Sequence, residues 1–475
     1  MDSQDEKHGL LGNENRPSSE FMQEKDGLPA INTPRRSFRS RVWSLALAAL
    51  LTLTAFGFWS TSSFKHCHKV MPMKNIEDRV HKILSETPLI DGHNDLPILV
   101  RAMYGNKIYS SDFIKRFAFG NLTGHVDAPR LADGQVGGTF WSVFVPCPAD
   151  GADFSKENYA ESVRTTYEQV DVMTRIQQEF KGILSESPNG TTALEEFRRG
   201  KIISPLGIEG LHSIGNSLTH LRSFYKLGVR YATLTHNCHN IYADAALVEI
   251  PGGGIKKADP VWNGVSEKGK ILVSEMNRLG MIVDLAHVSE ATMHDVLGAG
   301  KDDWIGSQAP VIFSHSSTHA LCPHPRNPTD ETLKLVKKTD SVVMVNFYPQ
   351  FISCTASDRE DGMPDFYAPN ATLAHVANHI MHIGNLIGFD HVGLGSDFDG
   401  IESTPEGLED VSKYPDLIAE LLRRGVSDSD AAKVAGGNLL RVWKKVDEVA
   451  LKLQAEGVLP AEDDIPPMKP DQIFV

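Results

Sequence analysis

The 475-residue chain lacks the glycine signatures of nucleotide chemistry. It has neither a P-loop nor a dinucleotide fingerprint, and the GGG at 252–254 sits in a Pro-containing loop, where it reads as a flexible turn. Positive charge is not in excess. With 47 Lys and Arg against 61 Asp and Glu, the formal net charge of −14 excludes the basic footprint that nonspecific nucleic-acid binding needs. Cysteine is sparse. The five, at 67, 147, 238, 322 and 354, include no C-x-x-C pair, so the usual spacing of structural zinc is absent. The stretch 458–475 is rich in Pro and Asp and lacks the hydrophobic end of a lipid-anchor transfer signal; an extended or loose tail is expected there.

What the chain does have is eight short apolar runs: PLIDGHND, GTFWSVFVP, ISPLGIEG, VRYATLTHN, GMIVDLAH, PVIFSHSS, SVVMVNFYP and HVGLGSDFDG. Strand-forming residues fill each run, and most are separated by enough chain for a helix or crossover. Most end in a residue suited to metal or substrate chemistry: His93 with Asp95, Glu209, His236, His287, His315, Tyr348, and Asp397 with Asp399. This pattern predicts an α/β fold, a (β/α)8 TIM-like barrel over residues 86–457, whose site gathers at the C-terminal strand ends. Helices are expected near 75–85, 155–180, 213–227, 265–279, 289–299, 329–338, 371–387, 415–424 and 427–453, the last opening on a Ser427–Asp430 cap. Two connections, 101–134 and 240–262, fit the repeat poorly and read as insertions on the catalytic face.

The first 41 residues are polar and cannot bury enough apolar surface to fold alone, which predicts a disordered cytoplasmic tail. Val42 to Phe64 carries no charge and is long enough to cross a bilayer, with Trp43 and Trp59 near the two interfaces. An uncleaved signal anchor is expected, followed by a stalk and first helix over 65–85. Flanking charges orient it weakly. The sequons at Asn121, Asn189 and Asn370 are useful only on the lumenal side, which favours a single-pass type II protein of the secretory pathway. Cysteine placement agrees. Cys147 and Cys238 follow the second and fourth runs, Cys322 and Cys354 the sixth and seventh, so pairing within each group would staple neighbouring loops in an oxidising compartment. Five free thiols in a cytosolic enzyme is the alternative.

His93-Asn94-Asp95 is the sharpest local motif. Alternate strand residues face the same way, so imidazole and carboxylate can point together into the barrel mouth and suit a borderline divalent metal such as zinc. Glu209 is flanked by Gly207 and Gly210, which leave room for a close approach, and its two oxygens could bridge two cations. His287 and His315 end successive runs. Two such histidines, with the H-x-D pair and a Glu upstream, make a two-metal site plausible. Asp397 and Asp399 share the parity argument, and one of them could exchange a proton with a water or leaving amine. His236 could hydrogen-bond a developing oxyanion, and Arg326 could pair with a substrate carboxylate. His220, His319, His375 and His382 read as structural or solvated.

With these residues assembled, the chain resembles the membrane dipeptidases, the renal dipeptidase family of zinc metallohydrolases, and looks like an N-terminally anchored, non-mammalian type. The likeness covers about residues 76–450 through DGHNDLP, GTFWSVFVPC, GIEG, TLTHNC, VDLAHVS, IFSHSS, MVNFY, GSDFDG and PEGLEDVSKYPDLIAELL. The resemblance implies two Zn2+ per chain: His93 and Asp95 on one, His287 and His315 on the other, Glu209 bridging. It implies that His236 polarises the substrate, Arg326 takes its carboxylate, Asp397 lies near the catalytic water and Tyr348 lines the pocket. It also implies Cys147–Cys238 and Cys322–Cys354 disulfides and a homodimer. Mammalian members are held by a C-terminal glycolipid, whose signal is missing here; an N-terminal anchor would substitute for it. The family's intersubunit cysteine has no counterpart near this C-terminus, which leaves Cys67, in the stalk, either to link two chains instead or to stay unpaired.

The expected activity is therefore hydrolysis of dipeptides by a metal-bridging hydroxide. Two rivals differ in kind. Another binuclear barrel amidohydrolase, acting on a cyclic amide, β-lactam or phosphoester, would commonly carry H-x-H on the first strand and a carbamylated Lys as bridge. Here the first strand offers H-x-D, and no Lys ends a core run. A non-catalytic surface receptor would not need complete metal and proton-transfer sets.

Overall fold

Runs of Val, Ile, Leu and Phe without polar alternation suit strands buried on both faces. In the computed structural model, which describes residues 75–250, 252–300 and 302–468, the eight runs form such strands. They are β1 Leu89–Asn94, β2 Val136–Phe144, β3 Leu206–Glu209, β4 Val229–Thr233, β5 Ile282–Asp284, β6 Ile312–Phe313, β7 Val342–Val345 and β8 Val392–Leu394. Each pairs in parallel with the next, and β8 closes on β1 where Leu394 faces Asp91. The result is a closed parallel barrel of the TIM type. Register sets Thr233 opposite both Glu209 and Asp284, so polar ends of adjacent strands meet at one rim.

The barrel has two apolar layers. One joins Ile90, Phe140, Tyr231, Ile282, Ile312, Val342 and Met344 from inside the strands to Trp443, Val442 and Leu439 of the helix Asn438–Ala455. The other lies between the strands and the surrounding helices. Most of those helices start at a Ser, Thr or Asn whose side chain accepts an amide of the first turn: Asn75, Ser217, Ser266, Ser289, Thr329, Thr372 and Ser427. The Ser427–Asp430 cap forms as expected.

Two local expectations need correction, for 427–453 and for the C-terminal tail, and the two insertions gain detail. The stretch 427–453 is not one helix but Asp428–Ala432 and Asn438–Ala455 joined by a wide turn over Lys433–Gly437. Its cause is crowding: a Cβ on Gly436 would lie 2.2 Å from the Pro88 carbonyl at the foot of β1. The insertion 101–134 holds the end of the helix Leu96–Tyr104 and the whole helices Ser111–Phe119 and Ala128–Asp133, separated by turns at Gly105 and Gly120. The insertion 240–262 contains a two-stranded hairpin, Leu247–Glu249 with Ile255–Lys257. The tail is extended but not loose, since Asp463 accepts from the amides of Leu218 (2.7 Å) and Thr219 (3.1 Å) and caps the helix Leu218–Lys226.

The tail 1–41, the apolar span 42–64 and Cys67 lie outside the described residues. Among the described residues, no helix is long and apolar enough to cross a membrane.

Candidate active site

Five side chains expected to meet do so at the C-terminal rim. His93 is the next-to-last residue of β1, Asp95 starts the following helix, Glu209 ends β3, and His287 and His315 lie just beyond β5 and β6. All five are buried. His93 Nε2 stands 3.2 Å from Asp95 Oδ2 and 3.5 Å from Glu209 Oε2. The other Glu209 oxygen, Oε1, lies 2.9 Å from His287 Nε2 and 3.5 Å from His315 Nε2, which are themselves 2.9 Å apart. Glu209 therefore presents one oxygen to each half of the cluster.

The protons on these rings decide whether a cation fits. Each ring uses Nδ1 behind the site: His93 with the Tyr231 hydroxyl (2.7 Å), His287 with Asn237 Oδ1 (3.2 Å), His315 with Ser314 Oγ (2.9 Å). Asn237 Oδ1 only accepts, so His287 carries its proton on Nδ1 and turns a bare Nε2 inward. Neither His93 Nε2 nor Asp95 Oδ1 has a hydrogen-bond partner among the described residues. Lone pairs facing one another in a buried space are costly unless something positive sits among them. Two nitrogens on one tetrahedral ion stand about 3.3 Å apart, given metal–nitrogen bonds of about 2.0–2.1 Å. The observed spacings match that scale, and the donor set fits divalent metal.

Charge balance points the same way. Burial pushes the Glu209 carboxyl up, yet the His93 and His287 rings outweigh it and hold the group well below the usual range. Burial opposes charge on His93, yet Tyr231, Glu209 and Asp95 raise its pKa well above an ordinary imidazole's. A proton there supplies the positive charge that the carboxylates demand, a demand a metal ion would meet instead. Burial, aided by Arg326 and neighbouring imidazoles, keeps His287 and His315 well below their ordinary pKa and thus in the neutral form that ligates.

Around the cluster lies a cavity of about 330 Å³. Asp397 borders it, with Oδ1 4.0 Å from His93 Nε2; burial raises its carboxyl well above the usual range, Asp95 and Glu209 reinforcing against His93 and Arg326. Asp399 borders the cavity too but is tied to His125, whose amide donates to Oδ1 at 2.6 Å. The parity argument fails for this pair. β8 ends at Leu394, and both aspartates take left-handed backbone (φ 68° and 66°), so strand alternation no longer sets their direction. His287 shares that conformation at φ 67°, strain of the kind that gathers at functional sites.

His236 is packed among Phe144, His287 and the Cys147–Cys238 disulfide, and burial lowers its pKa to about 3. Arg326 is a buried guanidinium 4.9 Å over the Phe351 ring. Its Nη2 reaches the His315 carbonyl at 3.4 Å, and its Nε has no partner among the described residues. Burial lowers its pKa to about 10, partly offset by Asp397 and Glu209. Such a cation calls for an anionic ligand. Tyr348 forms part of the same wall.

Both cysteine groupings form: Cys147–Cys238 with Cα atoms 6.1 Å apart and Cys322–Cys354 at 4.7 Å. Asn121 and Asn370 are exposed, whereas Asn189 is half-buried and its Oδ1 accepts from the Thr192 amide at 3.0 Å. The flanking glycines of Glu209 serve neighbouring rings: Gly207 admits Tyr231 and Gly210 admits His212. Sequence reading missed Tyr231, Asn237, Ser314 and His125. Asn237 had a signal, directly after His236; the others are recognisable only by their spatial partners.

Residues 77–457 match the family model for membrane dipeptidase, peptidase family M19. Dipeptidase aclJ of Aspergillus oryzae is 44% identical over 437 residues, covering 90% of this chain and 94% of that protein. An uncharacterized dipeptidase of Schizosaccharomyces pombe is 44% identical over 443 residues, covering 92% and 98%. Among solved structures, the metallopeptidase dipeptidase AC of family M19 superposes with a TM-score of 0.62 at 25% identity, covering 76% of this chain and 99% of that one. With the barrel, the donor cluster and these likenesses in hand, the chain belongs to the membrane dipeptidase family and is a metallo-dipeptidase.

Proposed function

We propose that this chain hydrolyses dipeptides with two zinc ions, releasing two amino acids. The observation that carries the reading is the convergence of three inward imidazoles, Glu209 and Asp95 beside a buried, unneutralised Arg326. His93 and Asp95 would hold one ion, His287 and His315 the other, and Glu209 would bridge them. Bound there, zinc supplies an activated water and a Lewis acid for the peptide carbonyl.

The chain's own residues supply the rest. Arg326 takes the C-terminal carboxylate in charge-assisted hydrogen bonds, which fixes substrate length because it stands at a set distance from the donors. His236, neutral across the working range, keeps an N–H for the developing oxyanion. Asp397, its carboxyl raised, holds a proton at Oδ1 and passes it to the departing amine. Tyr348 closes the wall and limits water. On this reading Val42–Phe64 is a type II signal anchor and the barrel is lumenal or extracellular, in keeping with two disulfides and exposed sequons at Asn121 and Asn370.

Metal analysis and a peptide panel on the purified protein test the proposal. Expected are two zinc ions per chain, turnover of dipeptides and inertness of tripeptides. Glu209→Gln should lose metal and about 10³-fold of turnover. Full turnover after that change, or tripeptide cleavage at dipeptide rates, would reject it.

A further inference from the structure

Two aspartates absent from the mechanism are buried directly behind the site, and they are held alike. Asp91 on β1 accepts at Oδ1 from the amides of His93 (3.2 Å) and Ser396 (2.8 Å), and at Oδ2 from the hydroxyls of Ser396 and Tyr414 (both 2.6 Å). Asp284 on β5 accepts at Oδ1 from the amides of Ala286 (3.1 Å) and Ser314 (2.7 Å), and at Oδ2 from the hydroxyls of Ser314 (2.6 Å) and Thr233. In each, the first amide comes from two residues along, the serine from the neighbouring strand end, and the last hydroxyl from a third element.

They differ in what the serine touches next. Ser396 Oγ accepts from the Phe398 amide (3.0 Å) and approaches the His93 carbonyl (3.3 Å), so that cradle ends in backbone. Ser314 Oγ lies 2.9 Å from His315 Nδ1. A serine hydroxyl has one proton. Ser314 gives it to the Asp284 carboxylate, so toward His315 it can only accept. His315 must then carry its proton on Nδ1, and its Nε2 is left bare toward Glu209 and His287.

We infer that Asp284 is a positioning residue for metal binding, acting through Ser314 to fix the proton and orientation of the His315 ring. The inference rests on the zinc-dipeptidase reading, in which His315 is a ligand. It carries a specific consequence for Asp284→Asn. The amide is nearly the same size, but its Nδ2 would donate to Ser314 Oγ. Ser314 would then donate to His315 Nδ1, moving the ring proton to Nε2, where it blocks the metal. Ser314→Ala only removes the constraint, so it should be milder. Ser314→Thr keeps the hydroxyl. Asp91→Asn disturbs an equally buried carboxylate whose serine reaches backbone and no imidazole nitrogen.

The test is zinc binding, measured as competition with a graded chelator on the purified metal-free proteins, with circular dichroism to confirm folding. Outer partners of ligating histidines typically contribute 10–100-fold to metal affinity. Expected for the affinity loss is Asp284→Asn at about 100-fold, Ser314→Ala at about 10-fold, and Ser314→Thr and Asp91→Asn within about threefold of the parent. A merely structural role would make Asp284→Asn and Asp91→Asn lose affinity alike. That result, or Ser314→Ala binding zinc as tightly as the parent, overturns the inference. Should Asp284→Asn not fold, the order of Ser314→Ala and Ser314→Thr decides. A parent protein that binds no zinc would fail the underlying reading itself, a result distinct from intact binding in all variants.

Discussion

Two disulfides staple the rim, and they do different work. Cys147–Cys238 ties the end of β2 to the loop after β4 across 91 residues and touches the site itself: Cys147 Sγ lies 3.7 Å from His236 Nδ1. Between that bond and β4 stand His236 and Asn237, the second being the Nδ1 partner of His287. Cys322–Cys354 ties the loop after β6 to the segment after β7 across 32 residues and acts at one remove. Inside it, Asn327 accepts from the Ser317 amide (3.0 Å) and donates to the carbonyls of Cys322 (2.9 Å) and Phe351 (2.8 Å). Phe351 in turn lies under Arg326. On the proposed reading, one staple supports the groups that would meet the reacting carbonyl, the other the group that would anchor the substrate's carboxylate. A barrel rim is made of loops, which are mobile by default, and a dipeptide needs both ends held at a fixed separation.

The largest effect on this contrast should come from removing the group that the second staple supports. Arg326→Met deletes a buried cation whose expected partner is the substrate carboxylate, and should cost about 10²–10³-fold in kcat/KM, mostly through KM. Steady-state kinetics with one dipeptide and its C-terminal amide check it. The parent should prefer the free acid strongly and the variant hardly at all. An unchanged acid-to-amide ratio would show that Arg326 does not read the carboxylate.

Breaking the first staple comes next. Cys147→Ser with Cys238→Ser should lower kcat about 30-fold and move KM less than threefold, the signature of a contact made chiefly in the transition state. Breaking the second, with Cys322→Ser and Cys354→Ser, should do the reverse at smaller size, raising KM about tenfold with kcat nearly kept. Both pairs should also lose stability, about 3–5 kcal/mol on the loop-closure argument. Equal effects of the two pairs on kcat and KM would dissolve the distinction between them.

How much of this was legible follows from what carries each signal. The strand ends could be read because each barrel strand is an apolar run with an abrupt polar stop, and β/α barrels collect such stops on one rim. His93, Asp95, Glu209, His287 and His315 were visible for that reason. The residues behind them were not. Tyr231 sits mid-strand as one more aromatic, and Ser314 and Asp284 look like ordinary strand-end polars until their partners are seen across three strands. The shared direction expected of Asp397 and Asp399 does not hold because the strand had already ended, a fact set by pairing with neighbours rather than by their own residues. The helices after β1, of nine, nine and six residues, were missed because they share one long connection punctuated by Gly105, Gly120 and Gly124.

Acid should separate the two quarters by a last and smaller effect. Burial lowers His324 and His379 to a pKa of about 3, and both pack against the loops that the second disulfide joins, His324 on Phe351 and His379 on Thr318 and Ile352. His379 is the better probe because its bonds require the neutral ring. Nδ1 accepts from the Thr318 amide at 3.1 Å, and the Nε2 proton goes to the Ile352 carbonyl at 2.8 Å. The folded pKa lies below the unfolded value of 6.5, so between them the unfolded chain binds more protons. The contribution is thus complete above pH 6.5 and is lost as pH falls toward 3. At pH 5 the loss amounts to about 2 kcal/mol. Gln can reproduce both hydrogen bonds without titrating, so His379→Gln should match or slightly trail the parent at pH 7.5 and overtake it at pH 5. Urea midpoints at the two values decide the matter. Parallel losses in parent and variant would place the acid sensitivity of the fold elsewhere than in the second staple's quarter.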